Sequence, residues 1–476
     1  MKKNHLNLIS KFVLSLFIIT AITTFNNEIK AQSTQKDVSV TIYNSNLGVI
    51  KDTREVKLTK GINQLNITDV ASSVYPSSVL IKIPTAEVIE QNYQYDLVSI
   101  NKILNKYIDQ EVTIKMENNN IITGKLLNAG SQVVLQKDDG GLIMLPDVSK
   151  SQISVPKLPE NFITRPTLVW TIKANKTEDQ TAELTYHTSG LNWNAEYVAE
   201  LDPSDKKMNI SAWVTLKNTS GTTYNNAKVK LIAGDINQVS NSGYNDEYRL
   251  LTRKTTMDLE MAEEATGFAE KEFFEYHLYD LGRRTTIKNN ENKQLALFDA
   301  KDVPVKKILS VNTTLSPYTQ NKELNANVSI KFKNSKENNL GMPFPKGKIR
   351  MNKSDGTSTE FIGEDMINHT PKDEEIILNI GKAFDVKLDA TTIERKKINN
   401  KTEEVEIEFK LRNRKSSEDV EVVFNCPIGY SYYNNWKILK LDYNWTKKNA
   451  NTITFSVPVK KDSEVTFTLK AQFTNK

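Results

Sequence analysis

The chain has a single cysteine, Cys426, among its 476 residues, so no intramolecular disulfide can brace it. Stability has to come from buried apolar surface, which this length can supply over roughly three or four domains. Cys426 follows the strand-like Val422-Val423-Phe424 and precedes Pro427, a setting for core packing rather than for a nucleophile. Catalytic and metal spacings are missing as well. Beyond His5 the histidines are His187, His277 and His369, none with another histidine or a cysteine four residues away. There is no His-Glu-x-x-His, no paired-cysteine spacing, no Gly-x-Ser-x-Gly and no phosphate-cradling glycine loop. No metal site and no cofactor is therefore expected. A concentrated basic face is absent too. The formal charge is +5, but residues 1–31 hold Lys2, Lys3, Lys11 and Lys30 against Glu28, leaving only +2 for the rest. Nucleic acid, which calls for a basic stripe, is excluded as the main partner.

What is present begins with an export signal. Lys2, Lys3 and Lys11 precede an apolar run from Phe12 to Ile22, and a polar stretch ends at Lys30-Ala31-Gln32. Charged start, apolar core and a small residue at the cleavage point are the order of a cleavable signal peptide over 1–31. The run is about half of the roughly 20 residues that span a bilayer, so no transmembrane span is expected after cleavage. The expected location is the periplasm, the cell surface or the medium.

Period-2 alternation dominates the chain after the signal. Val38, Val40 and Ile42 alternate with Ser39 and Thr41, and turns at Asn46-Leu47-Gly48 and Lys60-Gly61 separate further strands. This reads as a half-buried antiparallel meander over 32–95. From Asp96 the period becomes helical through Leu97, Ile100, Ile103-Leu104 and Tyr107-Ile108, with Asp96 placed as N-cap. About five short strands come next, with turns at Asn118-Asn119-Asn120 and Asp138-Asp139-Gly140-Gly141 and a bend at Gly124. The spacing predicts an inserted helix plus a small SH3-like or Sm-like barrel over 96–156.

Beyond Pro166 a loose repeat appears. Val214-Thr-Leu216-Lys-Asn218 returns as Val328-Ser-Ile330-Lys-Phe332-Lys-Asn334 and as Val405-Glu-Ile407-Glu-Phe409-Lys-Leu411-Arg-Asn413. Each is an alternating strand that stops at an Asn-led turn, a pattern for successive sandwich-type units. The expected division is a β core at 157–239, a flexible acidic loop or linker at 240–271, a sandwich-like domain at 272–390 and an Ig-like sandwich at 391–476. The fold class is mainly β, as several antiparallel sandwich-like domains with the small inserted barrel and one short helix.

Residues 187–238 carry a resemblance. Gly190-Leu191-Asn192-Trp193, Tyr197, Asn218, Ala227 and Leu231-Ile232-Ala233-Gly234-Asp235 are similar to the core of an uncharacterised family of secreted bacterial proteins, labelled mucoidy-inhibitor-like. Glu275 to Tyr279, Arg283 to Ile287, Phe361 to Glu364, and Ile380-Gly381 with Phe384-Asp385 resemble further stretches of it. Tyr43 to Gly48 resembles the companion domain ahead of that core, and the likeness covers most of 38–470. The helix and barrel stand where many relatives have a coiled-coil insert. The resemblance implies an exported β protein and transfers no catalytic residue.

Two sets of candidate site residues remain. Gly363-Glu364-Asp365 with His369 places two acids near a histidine on an expected loop, a constellation for an envelope polysaccharide- or peptidoglycan-acting hydrolase; a solvated turn is the plainer account. Trp193 and Tyr197, four apart and on one face of a regular strand, are candidates with Trp213 for a sugar-stacking platform, with core packing the alternative. Gly234-Asp235 reads as a turn. The expected function is a non-enzymatic binding or scaffold protein of the cell envelope, meeting an envelope protein or polysaccharide.

Overall fold

The computed structural model describes residues 29–95, 99–130, 132–157, 164–234, 236–237, 268–316, 322–428 and 433–475. The N-terminal stretch makes β1 (Ile29–Tyr43), β2 (Leu47–Leu58), β3 (Gly61–Ile67), β4 (Leu80–Lys82) and β5 (Ala86–Gln94). Then come one helix, α1 (Ile100–Lys106), and five short strands. These are β6 (Glu111–Lys115), β7 (Ile121–Asn128), β8 (Val133–Gln136), β9 (Leu142–Leu145) and β10 (Gln152–Ser154). The middle of the chain supplies β11 (Thr167–Ala174), β12 (Glu178–Thr188), β13 (Leu191–Leu201), β14 (Lys207–Asn218) and β15 (Tyr224–Ala233). After these run β16 (Phe268–Phe273), β17 (Tyr276–Leu281), β18 (Thr285–Ile287), β19 (Glu291–Pro304), β20 (Lys306–Asn312) and β21 (Lys322–Lys333). The remainder is β22 (Gly347–Ser354), β23 (Thr359–Ile367), β24 (Glu375–Lys397), β25 (Thr402–Asn413) and β26 (Val420–Pro427). It ends with β27 (Tyr433–Leu441), β28 (Trp445–Asn449), β29 (Thr452–Val459) and β30 (Ser463–Asn475). The protein is mainly β, as the alternation requires.

The strands sort into four sheets. An eleven-stranded sheet runs β16-β17-β15-β1-β2-β12-β4, with β3, β11 and β5 joined through β1 and β18 laid on β15. One five-stranded sheet is β19-β14-β13-β22-β23, another is β10-β6-β7-β8-β9, and a nine-stranded sheet runs β27-β30-β25-β24-β21-β20-β26-β29-β28. β1 and β2 form the expected hairpin, turning at Asn46 in the left-handed region that asparagine tolerates. The meander stops there. β3 crosses to lie parallel to the start of β1 and antiparallel to β11, while β12 takes the other flank of β2. Parallel neighbours also occur at β1 and β15, β13 and β22, and β20 and β26, so the sheets are mixed rather than purely antiparallel.

Three hydrophobic cores divide the chain differently from the expected boundaries. One core gathers residues from Val38 to Leu378 and takes in the sandwiched eleven- and five-stranded sheets. The stretch 157–239 is therefore no unit of its own: β11, β12 and β15 belong to the first sheet, β13 and β14 to the second. A second core runs from Leu309 to Phe473. The expected break at 390/391 falls inside β24, whose Ile376 and Leu378 enter the first core and whose Ala383 to Ala390 enter the second. β21 crosses with it. The register shifts opposite Asn325/Asn327 and Val328/Ser329 put the extra residues on β24, between Asn379 and Lys387, and re-aim its side chains from one core to the other, as bulges do. Gly381 stands at the crossing, a glycine inside a strand of the kind that marks a bulge.

The insert has its own small core of Leu104, Tyr107, Val112, Ile114, Leu126, Val133, Leu135 and Leu145. Ser99 caps α1, its hydroxyl accepting the Lys102 N–H at 3.4 Å; Asp96, expected in that role, lies outside the described residues. Gly124 sits where a Cβ would stand 2.7 Å from the Gln136 carbonyl oxygen, which explains glycine inside a strand. Of the expected linker at 240–271, residues 240–267 lie outside the described residues. Phe268 to Lys271 are instead part of β16, paired with Leu281 to Leu278 of β17. Residues 1–28 of the expected signal also lie outside; Ile29 to Ala31 pair with Asn63 to Leu65.

The repeated asparagines are corner posts. Asn218, Asn334 and Asn413 are all fully buried. Asn218 shares its amide hydrogens among the carbonyls of Thr222, Ile287 and Lys288, and accepts the Ser220 N–H. Asn413 repeats this with Glu418, Val459 and Lys460, accepting from Lys415. Asn334 donates to Met342 and Pro371 and accepts from Gly341. Each ends a strand by satisfying backbone groups that the turn would otherwise strand in the interior.

Candidate functional site

The residues singled out from the sequence do not assemble into a site. Glu364 and Asp365 are neighbours on β23 rather than loop residues, so their side chains leave opposite faces. Glu364 meets Lys348 Nζ at 3.0 Å and Arg350 Nε at 3.7 Å. Asp365 accepts the Asn379 N–H at 2.7 Å and the Met366 N–H at 2.8 Å, tying β23 to β24. His369 Nδ1 accepts the Lys346 N–H at 3.1 Å, and its Nε2 lies 3.4 Å from the Asn44 amide. All three serve as strand fasteners. Among the described residues no group of three from His, Cys, Asp and Glu could hold a metal ion.

Trp193 and Tyr197 have no face to offer a ligand. Both are core residues of β13, at most 1% exposed. Trp193 meets Tyr279 edge-on at 6.1 Å and its indole N–H donates to the Ile232 carbonyl at 3.2 Å. Tyr197 stacks on Phe344 at 5.3 Å and its hydroxyl donates to the Pro345 carbonyl at 2.7 Å. Alternation puts both on the inward face, where two sheets meet. Trp213, two-fifths exposed, stands on β14 without them. Cys426 is fully buried and burial pushes its thiol up to about 12, which removes it as a nucleophile at neutral pH. His277 pairs with Glu270 at 2.7 Å across the β16–β17 hairpin, a diagonal contact on one sheet face; Asp235 lies outside the described residues.

A different place has the form of a binding site. In the nine-stranded sheet β27 and β28 are the two terminal strands, yet their tryptophans touch, Trp436 against Trp445 at 6.3 Å. The sheet has curled until its ends meet without hydrogen-bonding. The interior is filled by Phe409, Phe424, Phe455 and Phe467 in mutual ring contact. Only three residues, Asp442-Tyr443-Asn444, separate β27 from β28. Tyr443 folds inward there, stacked on Phe455 and edge-on to Phe467 at 5.0 Å.

An open groove of about 480 Å³ lies beside this seam, lined by Asp442, Tyr443, Asn444, Thr446, Thr454, Phe455 and Ser456. Thr446 and Thr454 are direct cross-strand partners and so share a face. Among the described residues, the side chains of Asp442, Asn444, Thr446, Thr454 and Ser456 make no hydrogen bond to the rest of the chain. Lys447 stands 4.8 Å above the Trp436 ring, so that aromatic face is already covered by a cation. The alternation in the sequence marks strands here but no site. The available signal was Trp445-Thr-Lys-Lys-Asn449, a strand of five exposed residues whose one large aromatic has no apolar partner two positions on.

No family model and no curated protein matches the chain. Among solved structures, a crystal structure from Parabacteroides distasonis, of a protein provisionally described as a protease, covers 92% of this chain and 99% of its own at 7% identity. Its TM-score of 0.12 carries nothing over to this fold. Among the described residues no helix is long and apolar enough to cross a membrane.

Proposed function

We propose that this is an exported cell-envelope protein that works by binding, not by chemistry. The observation that carries the reading is the contrast between two sets of polar groups. Glu364, Asp365 and His369 are committed to backbone or ion-pair partners that hold strands together. The groups around the groove are uncommitted and face a concavity of ligand size, which is what a binding surface needs. The signal-like start at 1–31 and the mucoidy-inhibitor-like residues around Trp193 support an envelope location and a scaffold role. On this reading the fused sheets are the frame and the rim of the nine-stranded sheet is the working surface.

Complementation tests this. In a strain lacking the protein, a chain carrying Glu364→Gln and His369→Ala is expected to restore the wild-type phenotype. A chain carrying Asp442→Ala and Asn444→Ala, secreted and folded to the same level, is expected to fail. The opposite pattern would replace binding with hydrolysis.

A further inference from the structure

We infer that the groove beside the Trp436–Trp445 seam holds an uncharged, hydroxyl-rich sugar ring of an envelope glycan, a ligand class that rests on the binding reading above. The polar groups around the space point there first. One carboxylate, one amide and three hydroxyls, from Asp442, Asn444, Thr446, Thr454 and Ser456, surround it. That set accepts and donates in alternation, which matches sugar hydroxyls that do both. An apolar ligand would leave these groups without partners. A phosphate or uronate would meet Asp442 with no lysine or arginine among the lining residues to offset it.

The aromatic frame points the same way independently. A sugar ring has an apolar C–H face that packs on an aromatic ring while its hydroxyls turn outward. Tyr443 is fixed by its contacts with Phe455 and Phe467, so it is held ready rather than ordered on binding. Trp445 is 36% exposed and meets Trp436, but it shares its strand face with its cross-strand partner Phe455, opposite to Thr446 and Thr454, so it flanks the groove rather than lining it. Lys447 covers Trp436, which leaves Tyr443, a partly buried lining residue, as the ring for stacking. A groove of about 480 Å³ lies within the usual range of small-molecule sites, and its open form suits a chain that continues beyond the bound ring.

The test titrates the intact protein with α-1,4-glucan, β-1,4-glucan and N-acetylglucosamine oligomers, and with alginate oligomers as the acidic counterpart. Calorimetry and tryptophan fluorescence are the readouts. A neutral oligomer is expected to bind and shift the emission. Asp442→Ala and Asn444→Ala should each weaken it by about tenfold or more, with thermal unfolding unchanged. Three results would overturn the inference: no neutral oligomer binding, alginate binding preferentially, or equal binding by wild type and both alanine variants. If the groove variants fail to complement yet no sugar binds, the ligand class is wrong and the binding reading stands. If they complement fully, both are wrong.

Discussion

At the residue scale, two buried polar sets do work that apolar packing cannot. Asn413 supports three carbonyls and one N–H at the end of β25. Asn413→Ala leaves buried backbone groups unpaired, at about 1–3 kcal/mol each, so denaturant unfolding should show a loss of at least ~2 kcal/mol. Asn413→Asp keeps the shape but not the donors and should recover little of it. A loss below ~0.5 kcal/mol would mean the corner is held by its strands alone. The second set is Asp52 and Arg54, buried on the core face of β2, with Arg54 reaching Asp52 at 2.7 Å and Asp69 at 2.8 Å. Burial pushes the Asp52 carboxyl up, and the guanidinium opposes it. Arg54→Met removes the opposing charge and should cost about 3–5 kcal/mol, whereas Arg54→Met with Asp52→Asn should cost less. Equal costs would show that the charge pair is incidental.

At the scale of elements, the same corner closes two different units. In the first, β14 ends at Asn218, β15 follows, and the carbonyls at the end of β18 precede β19, which returns antiparallel to β14. In the second, β25 ends at Asn413, β26 follows, and the carbonyls at the end of β29 precede β30, which returns antiparallel to β25. Even the parallel neighbours correspond, β1 beside β15 and β20 beside β26. The sequence repeat is thus a repeat of topology. The turn from β13 to β14 adds a pH-sensitive clasp. Burial raises the Asp202 carboxyl, but hydrogen bonds from Ser204 and from the Lys206 and Lys207 N–H groups prevail and bring it to about 2. Because its folded value is depressed, its contribution is present above the ordinary 3.8 and lost as pH falls toward 2. Asp202→Ala should flatten stability across that window, as followed by thermal melts in steps of pH; an unchanged acid limb would exclude the clasp.

At the scale of the whole molecule, the two large cores are joined by shared strands and by a chain of charges. Asp205, beside β13, meets Lys307 of β20 at 2.5 Å and Lys353 of β22; Lys307 also meets Glu418, 3.2 Å away in the turn after β25. Burial raises Asp205, but the two lysines outweigh it and hold its carboxyl below its ordinary range; Glu418 is lowered chiefly by Lys415. Lys307 is raised by its two carboxylates in spite of burial. The carboxyl contributions are present at neutral pH and lost as pH falls through the carboxylate range; that of Lys307 is lost only at strongly alkaline pH. Calorimetry of Asp205→Asn should show the unfolding of the two cores drawing apart at neutral pH, with little further separation in acid. Coincident transitions in wild type and variant would mean that β21 and β24 alone couple them.

Strand character, the turns at Asn46 and Asp139-Gly140, the buried cysteine and the Asn-ended repeat were legible in the residues, because alternation and turn chemistry are local. They state which side of a strand is buried. They do not state what lies beside it. The pairing of β13 with β22, the crossing of β24 between cores and the curling of the nine-stranded sheet depend on contacts far apart along the chain, which period-2 patterns leave undetermined. The aromatic residues show the consequence. Trp193 and Tyr197 look like a platform in one dimension and are sealed between two sheets, whereas Trp445, on a strand with little pattern, meets only Trp436 among aromatic rings and stays partly exposed at the sheet's last edge. The sequence by itself determined that the chain is β and where many of its strands turn; tertiary packing alone decided which faces were covered, and so where a ligand could be met.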